Sequence, residues 1–277
     1  MTRSKATPIQ ANVGEAFGTI GPVLETRRLR RAEVSGVATI VDALATLIDA
    51  HGTLYEWAAD QPQPLALRGR APVFVAALPD ALGLVVVRHA WHGGLLAPIT
   101  GDRFCGTSRA AREFVTSATL RARGIPTTDV LGFATYRAGF GFHRIDVISR
   151  FVADAFDLGM IAAGLVPDVG CDEALEATQA LLVRLAAAGV VHPDLNVKNV
   201  LLTRGSAGAL AAMIIDVDVV RLDTGLSPSN TMHANVARLS RSIRKWRARF
   251  GCDITDTTVE QFARTALASA KSISGNA

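Results

Sequence analysis

Residues 190–202 read VVHPDLNVKNVLL. The middle of this stretch is a polar loop with a carboxylate at Asp194 and an amide at Asn199. Its last three residues form an apolar run that is typical of a buried strand. From average residue usage, the pattern H-x-D-L-x-x-x-N arises by chance in roughly one chain of this length in several hundred. The stretch therefore predicts a loop that carries chemistry and leads into a strand.

A second acidic segment follows this loop in the chain. Asp216 comes directly after a short apolar run, and Asp218 lies two residues further on. Phosphoryl transfer to a hydroxyl group needs a carboxylate that accepts or orients the proton of that hydroxyl. It also needs a hard Mg²⁺ ion, held by a few oxygen ligands against the nucleotide phosphates. Asp194 suits the first task, and Asn199 and Asp216 suit the second.

The same side chains are also compatible with a structural role. Asp194 then is a loop acid, Asn199 a turn residue and Asp216 a buried residue at the end of a strand. His192 fits best as a semi-buried histidine that holds the loop by hydrogen bonds, and we do not assign it a catalytic part. The second acidic segment and the order of predicted elements favour the functional interpretation.

The predicted elements change along the chain from β-rich to mainly helical, which is the α+β class. Short β runs separated by turn residues predict an antiparallel meander near the start of the β-rich part. The predicted strands are Leu65–Leu67, Val73–Leu78, Leu84–His89, 130–137, 143–152, 200–203 and 212–217. The predicted helices lie within 37–51 and over 109–123, 172–188, 231–250 and 256–272, with Asp172 as an N-cap.

Three regions are expected. The dipeptide repeat QPQP at residues 61–64 marks a boundary. A basic cluster at Arg27–Arg31 and a helical pattern precede this boundary. We interpret them as an N-terminal extension to the two lobes. The regions are an N-terminal helical extension over 1–60, a small β-rich lobe over 61–152 and a larger helical lobe over 153–277.

Composition narrows the class of protein but not its partner. The chain has 277 residues, half of them apolar, with a net charge of +4, so it is globular and not disordered. The three cysteines are widely spaced and form no CxxC pair, which favours a reducing cytoplasm over a disulfide framework or a zinc site. We expect neither a secretory signal nor a membrane-spanning segment, so any membrane association is expected to be peripheral.

Several motifs together resemble a known family. HPDLNVKN at 192–199, followed by IIDVD at 214–218, resembles the catalytic and metal-binding segments of the protein-kinase-like superfamily. More narrowly, these segments are similar to those of the lipopolysaccharide kinases, above all the 3-deoxy-D-manno-octulosonic acid (Kdo) kinases. VRHAWHGGL at 87–95 resembles that family's R-H-Y-x-x-G-G-L segment, although Ala90 replaces its aromatic residue, and Arg112-Glu113-Phe114 resembles its E-F helix motif.

The resemblance covers about residues 65–250 and implies a two-lobed protein-kinase-like fold that uses ATP and Mg²⁺. It implies that Asp194 is the catalytic base, that Asn199 is a metal ligand and that Asp216 is the principal metal ligand. Asp218 stands where protein kinases have glycine, and it is either a second ligand or a solvated or structural residue.

The resemblance also implies a nucleotide-binding set in the smaller lobe. Arg88 takes the place of the strand lysine of protein kinases and would contact the α- and β-phosphates, because its fork suits phosphate oxygens. Glu113 would hold it in position; the alternative is a surface ion pair of little worth. Gly69 marks the phosphate-covering loop or a plain turn, since a full G-x-G-x-x-G is absent.

The implied acceptor is a Kdo-bearing lipid A precursor, and no nucleic-acid partner is implied. The segment RLSRSIRKWRAR at 238–249 carries six cations and no acid. It is either a core-packed helix with a solvated basic face or a surface for a phosphorylated glycolipid at the inner face of the cell inner membrane. Arg27–Arg31 would add to that surface.

Two other functions are compatible with the sequence. One keeps the fold and changes the acceptor to another sugar, an aminoglycoside-like molecule or a protein hydroxyl. The other is a catalytically dead kinase-like binding module, which the thin glycine loop favours and the three retained residues Asp194, Asn199 and Asp216 oppose.

Overall fold

The computed structural model describes residues 24–61, 65–67, 72–91, 101–205, 208–251 and 254–275. Contacts divide the chain into two compact units, one made of 1–119 and 129–151 and the other of 120–128 and 152–277. The first unit is rich in strands and the second is mainly helical. The predicted α+β class, with a β-rich part before a helical part, is confirmed.

Eight strands among the described residues form one sheet in the first unit, in the order β1-β2-β7-β8-β5-β4-β3 with β6 beside β8. All of its pairings are antiparallel. The strands are β1 (Glu25–Arg28), β2 (Ala32–Gly36), β3 (Leu65–Leu67), β4 (Val73–Leu78), β5 (Gly83–His89), β6 (Phe104–Cys105), β7 (Val130–Arg137) and β8 (Phe142–Arg150). Helices α1 (Ala38–His51), α2 (Leu54–Ala59) and α3 (Ser108–Ala122) lie between them in sequence.

The prediction of a separate helical extension over residues 1–60 is wrong for its described part. β1 and β2 form a hairpin, and β2 pairs with β7 from Ala32 opposite Tyr136 to Gly36 opposite Gly132. Helix α1 forms as predicted and buries its apolar side in the same core as the sheet. β1 was missed because it is an arginine-rich strand with a single neighbour in the sheet, so its side chains show no apolar alternation.

The second unit packs long helices around one apolar core, with a small antiparallel sheet in the order β11-β10-β9. Two details differ from the sequence-based expectation. Asp172 lies inside the first helical turn and Gly170 is the N-cap, and the strand expected to reach Val217 ends at Ile214. The elements are β9 (Phe156–Asp157), α4 (Leu158–Ala162), α5 (Cys171–Ala187), β10 (Val200–Arg204), β11 (Leu210–Ile214), a 3₁₀ turn (Val217–Val219), α6 (Pro228–Phe250) and α7 (Asp256–Gly275).

None of the helices in the described ranges is both long and apolar enough to cross a membrane.

A close backbone approach fixes where β2 meets β7. Gly36 and Gly132 are directly opposed, and a methyl group added to Gly132 would lie 2.7 Å from the carbonyl oxygen of Ser35. That distance is below any normal carbon–oxygen contact, and the obstacle is backbone that cannot rotate away. Only glycine at this pair therefore lets the N-terminal hairpin join the sheet.

We expect Gly132→Ala to lower the free energy of unfolding by about 1–3 kcal/mol, the usual cost of overpacking. Urea denaturation of the full chain, followed by circular dichroism, measures this change. Gly205→Ala is the matched control, because its added methyl would lie 3.7 Å from the nearest atom, the carbonyl oxygen of Ala209. Equal stabilities of the two variants would contradict the argument.

Candidate active site

The HPDLNVKN loop is tied to the buried face of helix α6. The amide of Asn235, fully buried on that helix, accepts a hydrogen bond from the backbone N–H of His192 at 3.0 Å and donates one to the carbonyl of Val190 at 2.9 Å. Two helical turns further along, the hydroxyl of Ser242 accepts a hydrogen bond from the backbone N–H of Val197 at 3.1 Å. The helix therefore holds the loop at both ends.

Ile215 joins this loop to the second acidic segment, beside the pairing of Val200 with Ile214. Its backbone N–H donates to the carbonyl of Asn199 at 3.1 Å, and its own carbonyl lies 3.1 Å from Nε2 of His192. Asp216 is the next residue in the chain. The two motifs that are separate in sequence are thus brought side by side within the second unit, as the sequence predicts.

His192 is buried and interacts electrostatically with the three acids of the two motifs. Burial lowers the pKa of His192, although the charges of Asp216, Asp194 and Asp218 act in the opposite direction. The imidazole is therefore neutral near pH 7. Because the carbonyl of Ile215 can only accept, Nε2 must carry the proton and donate it. His192 uses its one ring N–H in this hydrogen bond and holds the loop.

The backbone at Asp216 has an unusual conformation. Its φ of +60° and ψ of +52° place it in the left-handed region, which aspartate tolerates better than most residues. The chain then enters the 3₁₀ turn, where Asp218 is buried. This change of direction is why the strand stops at Ile214, short of the predicted end, and why the two acids do not continue it.

The amide of Asn199 has a defined orientation. Its Nδ2 group donates to the backbone carbonyl of Asp194 at 2.9 Å. Since that carbonyl can only accept, the nitrogen must face it, and the amide oxygen is the atom left for another partner. A carboxylate and an amide oxygen on adjoining segments are the donor set that Mg²⁺ prefers, with phosphate oxygens completing its shell.

Asp194 itself is exposed, while its backbone is held firmly. Its carbonyl accepts hydrogen bonds from the amides of both Asn196 and Asn199. Within the described ranges, no group of three or more His, Cys, Asp or Glu side chains is arranged to hold a metal.

In the first unit, Arg88 and Glu113 form the pair that the sequence predicts. Nη2 of Arg88, on β5, lies 2.6 and 2.7 Å from the two carboxylate oxygens of Glu113, on α3. The glutamate side chain is buried and the arginine is about one-third exposed. A buried glutamate with a bidentate contact is not an exposed surface pair of little worth.

A buried network beside Arg88 was not predicted. His89 lies 2.6 Å from Asp146 and 3.3 Å from Asp102, and the hydroxyl of Tyr136 donates to Asp146 at 2.9 Å. Burial alone would lower the pKa of His89, but the hydrogen bonds and charges of Asp146 and Asp102 outweigh it and raise that pKa. His89 is therefore a packed link of the sheet, and the two acids favour its charged form.

Other predicted parts of the site lie outside the described residues. These are Gly69 of the phosphate-covering loop and the glycines of the VRHAWHGGL segment. Asn235 and Ser242, which hold the loop, were missed by sequence reasoning. One signal existed for the first of them, since Asn235 lies at helical spacing among Met232, Val236 and Leu239, and asparagine has poor helix propensity.

Comparison with known proteins identifies the group to which the chain is related. The sequence model of the lipopolysaccharide kinase (Kdo/WaaP) family matches residues 75–265. A 3-deoxy-D-manno-octulosonic acid kinase of Xanthomonas oryzae pv. oryzae is 27% identical over 259 residues, covering 91% of this chain and 90% of that protein. One from Actinobacillus succinogenes is 29% identical over 194 residues, covering 68% and 78%.

A solved structure, "WaaP in complex with acyl carrier protein", is similar with 15% identity and a TM-score of 0.42, covering 83% of this chain and 94% of that one. This likeness is too distant to add to the assignment. The family match spans more than half of the chain and includes both motifs of the site. The chain therefore belongs to the lipopolysaccharide kinase (Kdo/WaaP) family, and it is a phosphotransferase.

Proposed function

We propose that this protein transfers the γ-phosphoryl group of ATP to a hydroxyl of Kdo carried by a lipid A precursor. One observation supports the proposal most: Ile215 and His192 link the loop of Asp194 and Asn199 to Asp216. The family supports phosphoryl transfer to a sugar, and the relatives named as Kdo kinases supply the acceptor.

Asp194 is the catalytic base in this proposal. It is exposed, so an acceptor hydroxyl can reach it, and its backbone is fixed by two side-chain amides. The carboxylate accepts the proton of the attacking hydroxyl as the new oxygen–phosphorus bond forms and the bond from the γ-phosphorus to the bridging oxygen of ADP breaks. Positioning of this kind, more than any covalent chemistry by the protein, is what accelerates phosphoryl transfer.

Asn199 and Asp216 are the proposed ligands of Mg²⁺, with Asp218 as a further candidate. When bound, the ion neutralises charge on the β- and γ-phosphates of ATP. The chain's own part is to present the amide oxygen of Asn199 and the carboxylate of Asp216 from adjoining segments. Burial of Asp218 in the 3₁₀ turn fits a structural role as well as a ligand role.

Arg88 is proposed to bind the α- and β-phosphates, with Gly69 marking the loop that covers them. Glu113 uses two oxygens to hold one end of the guanidinium group. About one-third of the Arg88 side chain is exposed to solvent. An arginine held in this way is pre-organised, so little side-chain entropy is lost when phosphate binds.

The acceptor would reach this enzyme at the cytoplasmic face of the inner membrane, where the protein would associate peripherally. Exposed cations on one side of helix α6 support this proposal, because few acids compensate them. Of the six cations in 238–249, Arg244 and Arg247 pair with Asp256 of α7. The four others are exposed: Arg238, Arg241, Lys245 and Arg249.

The basic cluster Arg27–Arg31 is a weaker candidate for the same task. Arg27 is paired with Asp42, and Arg28 is paired with Glu33. Two of its four cations are therefore already compensated by acids of the first unit.

We expect Asp194→Ala and Asp216→Ala to fail in different ways. Loss of the base should reduce kcat by about 10²–10⁴-fold and keep the Mg²⁺-dependent rise in melting temperature that ATP causes. Loss of the metal ligand should remove that rise as well as the activity. Mass spectrometry of Kdo-bearing lipid A precursor after incubation with ATP measures the product, and thermal denaturation measures binding.

Glu176→Ala is the control for both variants, since Glu176 is an exposed acid on α5. It should change neither measurement. Phosphate that appears on protein or another sugar, but never on Kdo, would reject the proposed acceptor. Full activity of Asp194→Ala would reject the proposed base.

We expect Glu113→Gln to raise the KM for ATP about tenfold, because a charge-assisted bond that orients Arg88 is weakened. Steady-state kinetics at varied ATP measures this, with circular dichroism to verify folding. Glu173→Gln is the control: it weakens another Arg–Glu pair, in which two nitrogens of Arg204 donate to the two oxygens of Glu173 at 2.7 and 2.9 Å, on the surface of the second unit. An equal effect of both variants would rule out a nucleotide role for Glu113.

We expect Arg241→Gln to weaken binding to phosphatidylglycerol vesicles about fivefold, since each cation near an anionic surface contributes about 1 kcal/mol. Co-sedimentation with vesicles measures the bound fraction. Arg264→Gln removes an exposed cation of α7 and is the charge-matched control. Binding that is equally strong to neutral phosphatidylcholine vesicles, or insensitive to salt, would reject an electrostatic membrane surface.

A further inference from the structure

Lys198 is a cation inside the catalytic loop to which the reaction described above gives no task. It lies in the chain between Val197 and Asn199, and its side chain is exposed. Among the described residues its ammonium group forms no ion pair at hydrogen-bonding distance. It is held in another way, over the ring of Trp246, with Nζ 5.3 Å from the ring centroid. An exposed lysine that rests on an aromatic face is more restricted than an ordinary surface lysine.

The ring beneath Lys198 is fixed from several directions. The indole N–H of Trp246 donates to the carbonyl of Gly159 at 2.9 Å, and the ring of Phe250 lies 4.3 Å away. A methyl group at Gly159 would lie 3.0 Å from two carbons of the indole, so this position needs glycine. The N–H of Gly159 in turn donates to the carbonyl of Val197 at 3.3 Å. The platform and the catalytic loop therefore form one connected unit.

The backbone of Lys198 belongs to the same turn as the proposed base. Its N–H donates to the side-chain oxygen of Asn196 at 2.9 Å, and the nitrogen of that amide donates to the carbonyl of Asp194 at 3.0 Å. One asparagine thus links the backbone of Asp194 to the backbone of Lys198. A ligand whose hydroxyl reaches Asp194 brings its neighbouring groups close to this turn.

The charge around Lys198 favours an anionic ligand. Asp157 lies close enough to Lys198 for their charges to interact. Burial raises the pKa of Asp157, and the charge of Lys198 partly offsets that rise. On the helix that carries Trp246, the neighbouring exposed residues Lys245 and Arg249 are also cations. Two further cations therefore flank Trp246 on this helix, which favours an anionic ligand at this face of the loop.

We propose that Lys198 is a specificity-determining residue that binds an anionic group of the acceptor, a phosphate or a carboxylate, while the acceptor's hydroxyl is at Asp194. The inference rests on the proposed function and names the chemistry by which the same site selects its acceptor. The ring of Trp246 holds the ammonium group in place before the ligand arrives, which reduces the entropy lost on binding.

Lys198→Gln tests the proposal by steady-state kinetics and by calorimetric titration of acceptor without ATP. We expect the KM and the Kd for Kdo-bearing lipid A precursor to rise about tenfold, the effect of one charge-assisted hydrogen bond. The KM for ATP should stay the same, and kcat should change by less than about threefold. Arg264→Gln, which removes one exposed cation of α7, should leave every value unchanged. A rise in the KM for ATP alone would overturn the proposal.

Two altered acceptors separate the sources of the anion. One is the precursor after phosphatase treatment, and the other is the precursor with the Kdo carboxylate converted to its methyl ester. We expect the difference between Lys198→Gln and the unsubstituted protein to vanish for one of the two. If Lys198→Gln and the unsubstituted protein still differ with both altered acceptors, Lys198 binds neither anionic group of the acceptor, and the inference is rejected.

The platform gives a second, independent measurement. Trp246→Phe keeps an aromatic face under Lys198, whereas Trp246→Leu removes it, so the leucine variant should raise the Kd for acceptor more than the phenylalanine variant. Equal effects would overturn the role of the platform. Phosphate transfer with no dependence on Lys198 rejects this inference alone, whereas Lys198-dependent acceptor binding without any transfer rejects the proposed function and keeps the inference.

Discussion

The two motifs of the second unit are linked through the peptide groups of one residue, Ile215, where the paired strands β10 and β11 adjoin them. Its N–H and its carbonyl are both used by the HPDLNVKN loop, one by Asn199 and the other by His192. In a buried setting a backbone group without a partner costs about 1–3 kcal/mol, so separating the two motifs would leave several such groups unpaired. This constraint keeps the loop of Asp194 and Asn199 beside the segment of Asp216.

Helix α6 performs two tasks that use different sides of its surface. Asn235, Ser242 and Trp246 recur at helical spacing and face the loop through hydrogen bonds or ring contacts. The exposed cations occupy positions next to that stripe, so the surface that meets solvent beside the loop is positive. In the proposed function this helix positions the base and also supplies charge near the acceptor, so any shift of the helix displaces both.

How far the sequence could predict this structure depends on whether the signal was local. The sequence predicted two strands, 73–78 and 130–137, at their observed positions. It also located both motifs. These signals, apolar runs and turn residues, depend only on residues that are near in sequence. The pairing of β2 with β7 was not predictable in this way, since residues about a hundred positions apart must meet. The same holds for Asn235, whose partners are 43 and 45 residues away, and for the contacts of His89 with Asp102 and Asp146.

The two buried histidines respond to pH in opposite directions, and this bears on where both units are stable. The pKa of His89 is raised above 6.5 in the folded protein, so its contribution is complete below that value and is lost as pH rises through the folded pKa. The pKa of His192 is lowered below 6.5, so its contribution is complete above that value and is lost as pH falls through the folded pKa. The contributions overlap around pH 6.5, between the two folded pKa values. Lowering the pH below 6.5 therefore removes the contribution of His192, which holds the HPDLNVKN loop. Raising the pH removes the contribution of His89, which lies in the sheet that carries Arg88.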